Sequence, residues 1–154
     1  MSKALLVIDV TDAYLNDHKP DYDDIPVFIQ GIVNRVSQGQ DALVLFFTDF
    51  TTANFPQEFL PLLAYYGPAI YKTDFSAFDY DPTSESELHE TLQGHGITTV
   101  EVCGLYANWC IADTVQDALE LGYKVVLNPT IVLGENGKIR PDLIYLENEG
   151  AVLI

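Results

Sequence analysis

Short apolar runs alternate with amphipathic segments along most of this chain. Residues 4–10 are apolar apart from Asp9 near the end of the run, which is typical of a parallel strand buried on both faces. Similar strand-like runs follow at residues 42–47, 69–71, 98–103, 123–127 and 151–154. The pattern therefore predicts about six strands.

The segments between these runs have helical periodicity. Residues 25–36 place apolar side chains at helical spacing, with Pro26 in the first turn and Gly39 after the last. A capping-box pattern at residues 84–87 predicts a helix that extends to about Gly94. Further helices are predicted at residues 110–121 and 141–147, whereas residues 50–68 read as a loop with one short helix at most.

Strands that alternate with helices imply right-handed βαβ units. The predicted fold is therefore a three-layer α/β/α domain that spans residues 1–154, with a mainly parallel, Rossmann-like sheet. Ligands of such sheets bind at the carboxyl ends of the strands. The predicted strand ends offer Asp9, Thr48 with Asp49, Lys72, and Gly104, which leads to Cys110. Of these residues, Asp9, Lys72 and Cys110 are the candidates for catalysis.

Each of these side chains has a chemical interpretation and a plainer one. Cys110 opens a predicted helix, where the dipole and free N–H groups favour a thiolate and an oxyanion, but it is equally expected as a small core residue. Asp9 is a candidate base in a desolvated position, or a turn-forming acid. Lys72 is a candidate ion-pair partner of Asp9, or a solvated surface lysine. Together they predict a nucleophile, a base and an orienting cation.

Three segments of the chain resemble the cysteine-hydrolase, or isochorismatase-like, superfamily, which includes nicotinamidases and related amidohydrolases. These segments are LLVIDV with Asp9, YKTDFSAF with Lys72, and VCGLYANWCIADTVQDALELGYKVVL with Cys110. The resemblance implies that these three residues form a catalytic triad. It also implies a cis peptide bond between Leu105 and Tyr106, which directs the Tyr106 N–H towards the oxyanion, and a hydrolase that forms dimers or tetramers.

Other positions depart from the family or extend the site. Tyr14 matches the family's substrate-contacting aromatic residue, but Thr11 replaces its usual glutamine. Nicotinamidases hold a metal with an aspartate after the second strand and nearby histidines, whereas residues 50–55, which follow Asp49 here, contain no histidine. The sequence therefore predicts no metal and no other cofactor. Phe75 and Trp109 are candidates for a substrate pocket or for the core.

The amino-acid composition disfavours some classes of binding partner. The formal net charge is −16, from 23 acidic and 7 basic residues, which disfavours nucleic acids and anionic membranes as partners. The N-terminal segment lacks the features of a signal peptide, so a cytoplasmic enzyme with a small-molecule substrate is expected. Cys103 and Cys110 are not spaced as a CxxC redox pair. His18, His89 and His95 are interpreted as surface residues.

The predicted function is metal-independent hydrolysis of a small amide through a thioester on Cys110. Two alternatives remain open at this point. The turn of residues 104–107 resembles isochorismatases, which indicates enol-ether hydrolysis that needs no thiol. Thr11 and the short loops are also compatible with a catalytically idle binding module of the same fold.

Overall fold

A parallel β-sheet forms the centre of the protein. The computed structural model describes residues 2–17, 23–50, 53–79 and 86–154. Within these ranges the sheet has seven strands: β1 (Ser2–Ile8), β2 (Leu43–Thr48), β3 (Ile70–Tyr71), β4 (Ile97–Leu105), β5 (Lys124–Leu127), β6 (Val132–Leu133) and β7 (Val152–Leu153). Their order is β3-β2-β1-β4-β5-β7, and β6 pairs with the end of β4. Every pairing between these strands is parallel, which confirms the predicted sheet type.

Helices follow most of the strands. They are α1 (Asp12–Leu15), α2 (Asp24–Ser37), α3 (Leu60–Tyr66), α4 (Glu87–Gly94), α5 (Ala112–Glu120) and α6 (Ile144–Glu149). The N-cap of α4 is Ser86, whose hydroxyl accepts a hydrogen bond from the N–H of His89. Ser84, the first residue of the predicted capping box, lies outside the described residues, as does His18.

Alternate side chains of each central strand enter two different apolar cores. In β1, Leu5 and Val7 pack with the buried face of α2, whereas Leu6 and Ile8 pack with α4, α5 and α6. A strand that is buried on both faces in this way has a continuous apolar sequence. The layers are therefore helix, sheet, helix, as the sequence predicts.

The two cysteines lie on opposite sides of the sheet. Cys103 of β4 belongs to the core beneath α2, and Cys110 belongs to the core beneath α5. Both are free thiols, and their positions on opposite faces of the sheet exclude a redox-active disulfide between them. Among the helices of the described ranges, none combines the length and the apolar character that crossing a membrane requires.

Strands β1 and β4 come unusually close at their carboxyl ends. Gly104 pairs with Ile8 and has φ +115°, and a Cβ on Gly104 would lie 2.1 Å from the carbonyl oxygen of Ile8. Only glycine permits this approach. The close packing brings the end of β1 beside the turn that leads to Cys110.

Candidate active site

Asp9 is held at the end of β1 by its backbone. Its N–H donates to the carbonyl oxygen of Phe47, its own carbonyl accepts from the N–H of Thr11, and its φ is +56°. Aspartate is one of the few residues that enters this left-handed region readily. The side chain is fully buried, so a charged carboxylate here needs a nearby partner.

Lys72 supplies that partner. Its N–H donates to the carbonyl oxygen of Thr48, 2.8 Å away, which extends the pairing of β3 with β2 by one residue. Its Nζ lies 3.0 Å from Oδ2 of Asp9 and donates to the carbonyl oxygen of Asp74 at 2.8 Å. With 1% of its surface exposed, Lys72 is a buried ion-pair residue, which rules out the surface-lysine interpretation.

Cys110 completes the contact. Its Sγ lies 3.5 Å from Nζ of Lys72, and the residue is buried. The helix does not begin at Cys110 as predicted. It begins three residues earlier, with a π-helical turn over Ala107–Ile111 in which the N–H of Ile111 donates to the carbonyl of Tyr106. Cys110 therefore lies in the first turn, among the N–H groups that have no partner within a helix.

The electrostatics of the three side chains are coupled. Burial raises the pKa of Asp9, and Lys72 together with a hydrogen bond from Cys110 opposes the rise. Burial works to lower the pKa of Lys72, but the charges of Asp9 and Cys110 outweigh it and the pKa is raised. Lys72 therefore stays protonated and positively charged at neutral pH.

The pKa of the Cys110 thiol corrects the sequence prediction. Burial and the Asp9 carboxylate raise it to about 12, and Lys72 opposes that rise. The start of the helix favours a thiolate, but the Asp9 carboxylate beside the sulfur disfavours it. The thiol consequently keeps its proton at neutral pH, next to a base that can accept it.

The turn before Cys110 contains the expected cis bond. The peptide bond between Leu105 and Tyr106 is cis. Leu105 ends β4 in the core, and Tyr106 is the half-buried N-cap of the turn that carries Cys110. The ring of Tyr106 packs edge-on against Tyr14, with 5.7 Å between the ring centroids.

Tyr14 joins this site to a second carboxylate. Its hydroxyl donates to Oδ2 of Asp49 at 2.5 Å, and burial together with that hydrogen bond raises its pKa. The charges of Asp9 and Cys110 also raise it, so Tyr14 and Asp49 lie near these two groups. The other predicted pocket residues, Phe75 and Trp109, are about half exposed, with ring centroids 6.0 Å apart. They are therefore not core residues, and their contact with a substrate stays a prediction.

A metal site of the nicotinamidase kind does not fit these residues. In the described ranges no three His, Cys, Asp or Glu side chains come together as a ligand set. Asp49 uses one carboxylate oxygen for Tyr14, and His89 contacts the hydroxyl of Tyr123 at 2.8 Å, while His95 follows the end of α4. No catalytic step is therefore assigned to a metal.

Two features of the site were not in the predicted set. Asp49 is expected at the end of a strand but is not among the predicted catalytic or pocket residues, and its Oδ1 is shielded from solvent and has no hydrogen-bond partner among the described residues. The Thr11 hydroxyl is likewise buried and unpartnered. Position at the end of β2, beside β1, was the available signal for Asp49.

Comparisons with known proteins establish the family of this chain. The model of the isochorismatase domain matches residues 3–129. The chain belongs to the isochorismatase family. Streptothricin hydrolase of Streptomyces noursei is 40% identical over 47 residues, which is 30% of this chain and 17% of that protein, so the match spans only a small part of the relative.

Solved structures of other hydrolases share the isochorismatase-family fold. The nicotinamidase of Staphylococcus aureus superposes with a TM-score of 0.70 at 23% identity, over 88% of this chain and 85% of that one. The N-carbamoylsarcosine amidase of Thermoplasma acidophilum superposes with a TM-score of 0.75 at 19% identity, over 99% and 95% of the two chains. At these identities the likeness establishes the fold, and the family membership makes the chain a hydrolase.

Proposed function

We propose that this protein is a cysteine amidohydrolase that cleaves the C–N bond of a small amide without a metal. The observation that carries the proposal is the position of the Lys72 ammonium, 3.0 Å from Oδ2 of Asp9 and 3.5 Å from Sγ of Cys110. A buried thiol, carboxylate and ammonium in mutual contact have little structural value, because burying charges is costly. They are the groups that covalent acyl transfer requires.

The reaction begins with proton transfer from Cys110 to Asp9. The thiol is neutral at rest, with a pKa of about 12, and the raised pKa of Asp9 makes the carboxylate a competent acceptor. The sulfur then attacks the amide carbonyl carbon, and the carbonyl electrons move to oxygen. Lys72 stabilises the negative charge wherever it resides, on the carboxylate or on the sulfur.

The second half releases the amine and then the acid. We assign the oxyanion to the backbone N–H groups of Tyr106 and Cys110 at the start of the helix. When the oxyanion collapses, the C–N bond breaks and Asp9 gives its proton to the leaving nitrogen. Asp9 next takes a proton from water, the hydroxide attacks the thioester, and the Cys110 sulfur leaves and recovers its proton.

The surroundings supply the remaining roles. Tyr14, Phe75 and Trp109 contact the substrate. The hydroxyl of Thr11, which has no hydrogen-bond partner in the part of the chain that the structure describes, replaces the family's glutamine in some of its contacts. We further propose that residues 1–154 act as one hydrolase domain that forms a dimer or tetramer.

The test is turnover of a panel of small primary amides by wild type and by Cys110→Ala, with Cys103→Ala as the matched control. The expected result is loss of turnover in Cys110→Ala and near wild-type turnover in Cys103→Ala, since Cys103 is buried on the other face of the sheet. Iodoacetamide should label Cys110 ahead of Cys103. Wild-type turnover of an amide by Cys110→Ala would refute covalent catalysis. Isochorismate is included in the panel, and its turnover by both wild type and Cys110→Ala would favour an enol-ether hydrolase.

A further inference from the structure

The active site carries more negative than positive charge. At the carboxyl ends of β1 and β2, Asp9 and Asp49 follow strands that pair directly, with Ile8 opposite Phe47. Lys72 is the cation that both carboxylates act on: Asp9 contacts it at 3.0 Å, and the charge of Asp49 contributes to the raised pKa of Lys72. Two carboxylates with one ammonium leave a net charge of about −1.

Asp49 has an oxygen that its neighbours do not use. Tyr14 donates to Oδ2, whereas Oδ1 is shielded from solvent and accepts no hydrogen bond within the described residues. The carboxylate of Asp9, in contrast, lies 3.0 Å from the Nζ of Lys72 and accepts a hydrogen bond from the Cys110 thiol. A buried carboxylate oxygen without a donor is costly, so Oδ1 of Asp49 calls for an N–H group that the bound substrate brings.

Aromatic rings adjoin Asp49. Tyr14 packs against Phe50, with 5.4 Å between the ring centroids, and against Tyr106. The faces of aromatic rings attract cations. An ammonium group beside Asp49 would therefore meet a carboxylate oxygen and ring faces, whereas an anionic group would meet the carboxylates that flank Lys72.

We propose that the site selects amide substrates that carry an ammonium group, and that Asp49 is the residue that selects them. The proposal rests on the amidohydrolase function for its substrate class, but the charge preference belongs to the site itself. The strongly acidic chain, with a formal net charge of −16, adds a long-range attraction for cations. Asp49 acts here as an acceptor for the substrate and not as a metal ligand.

The test compares modification of Cys110 by two reagents of similar size and opposite charge. These are 2-aminoethyl and 2-sulfonatoethyl methanethiosulfonate, and the adduct is located by mass spectrometry. We expect the cationic reagent to react at least about tenfold faster after correction for the reagents' rates with a free thiol, as one unit charge within several ångströms predicts. The ratio of the two rates cancels any change in the reactivity of the thiol itself.

The decisive variant is Asp49→Asn, which keeps an acceptor for Tyr14 and removes the charge. Its rate ratio should fall about tenfold, whereas Glu120→Gln, which removes an exposed charge at the far end of α5, should stay within about twofold of wild type. In wild type alone, raising the salt concentration should also reduce the ratio. Equal rates for the two reagents in wild type, or an unchanged ratio in Asp49→Asn, would overturn the proposal.

Amide substrates separate this proposal from the function on which it rests. An aminoacyl amide should be hydrolysed with a higher kcat/KM than a carboxylate-bearing amide of the same length, and Asp49→Asn should lose the difference mainly through KM. If no amide acylates Cys110 while the reagent ratio behaves as expected, the amidohydrolase function fails and the charge preference stands. If amides are hydrolysed without regard to charge, the function stands and the role of Asp49 fails.

Discussion

Replacing Lys72 by methionine tests the buried charge pair directly. Methionine keeps most of the side-chain volume and removes the ammonium that lies 3.0 Å from Asp9. At an effective dielectric constant of about 20, unit charges at that distance attract by about 5 kcal/mol. Removing one partner of a buried pair costs about 3 to 5 kcal/mol in practice, so we expect that loss in the free energy of unfolding near pH 8.

The loss should depend on pH in a defined direction. Burial raises the pKa of Asp9 in the folded state, so the stability associated with this group is present at low pH and is lost as the pH rises through that pKa. Without Lys72 the folded pKa rises further. The deficit of Lys72→Met relative to wild type should therefore be large at pH 8 and smaller at pH 5, where a protonated Asp9 no longer needs the cation.

Urea denaturation of both proteins at the two pH values measures this difference. The matched control is Lys124→Met, which removes an exposed lysine of β5 and should change the free energy of unfolding by less than about 0.5 kcal/mol at either pH. A Lys72→Met variant as stable as wild type at pH 8, or equally destabilised at both pH values, would refute the assignment of a buried, functionally charged pair.

Three further predictions concern the same site. In Asp9→Asn, alkylation of Cys110 at pH 7 should become faster, because burial and the Asp9 charge raise the pKa of the thiol and only burial remains. Amide turnover should nonetheless fall at least about a hundredfold, and slower alkylation would contradict the pairing. Thr11→Val should raise the free energy of unfolding by about 1 kcal/mol, because it removes a buried hydroxyl that has no partner among the described residues, and it should raise KM. Calorimetry and kinetics measure the two effects, and a loss of stability would show that the hydroxyl is hydrogen-bonded. Dialysis against a strong chelator should leave turnover unchanged, and recovery of lost activity by an added divalent ion would refute the metal-free assignment.

The extent to which the sequence predicts this fold follows from the lengths of its elements. Strands β1 and β4 and helix α2 have enough residues to show their periodicity, and all three were predicted. Helix α1 has four residues, too few to show helical periodicity, and was not predicted. Strand β6 was also missed, although it has two residues like β3 and β7, which the apolar runs at residues 69–71 and 151–154 predicted. Their positions are fixed by contacts with the sheet, such as the pairing of β6 with the end of β4.

The site shows a similar division. The rule that ligands lie at the carboxyl ends of parallel strands selects Asp9, Lys72 and Cys110, and the structure brings these three together. The same rule cannot give the pKa of the thiol, because that pKa depends on which charge faces the sulfur. It also cannot reveal that Asp49 pairs with Tyr14, since the two residues are 35 positions apart in sequence and meet only through folding.

The central claim is that the sulfur of Cys110 becomes acylated during turnover. The test mixes the enzyme with an amide that it hydrolyses and quenches the reaction in acid within the first turnovers. The masses of the intact protein and of the peptide that contains Cys110 are then measured. We expect a mass increase equal to the acyl group, located on Cys110, removed by hydroxylamine, and absent in Cys110→Ala. If wild type hydrolyses the amide, Cys110 is acylated at no time point, and added hydroxylamine does not increase the rate of turnover, acylation of Cys110 is refuted.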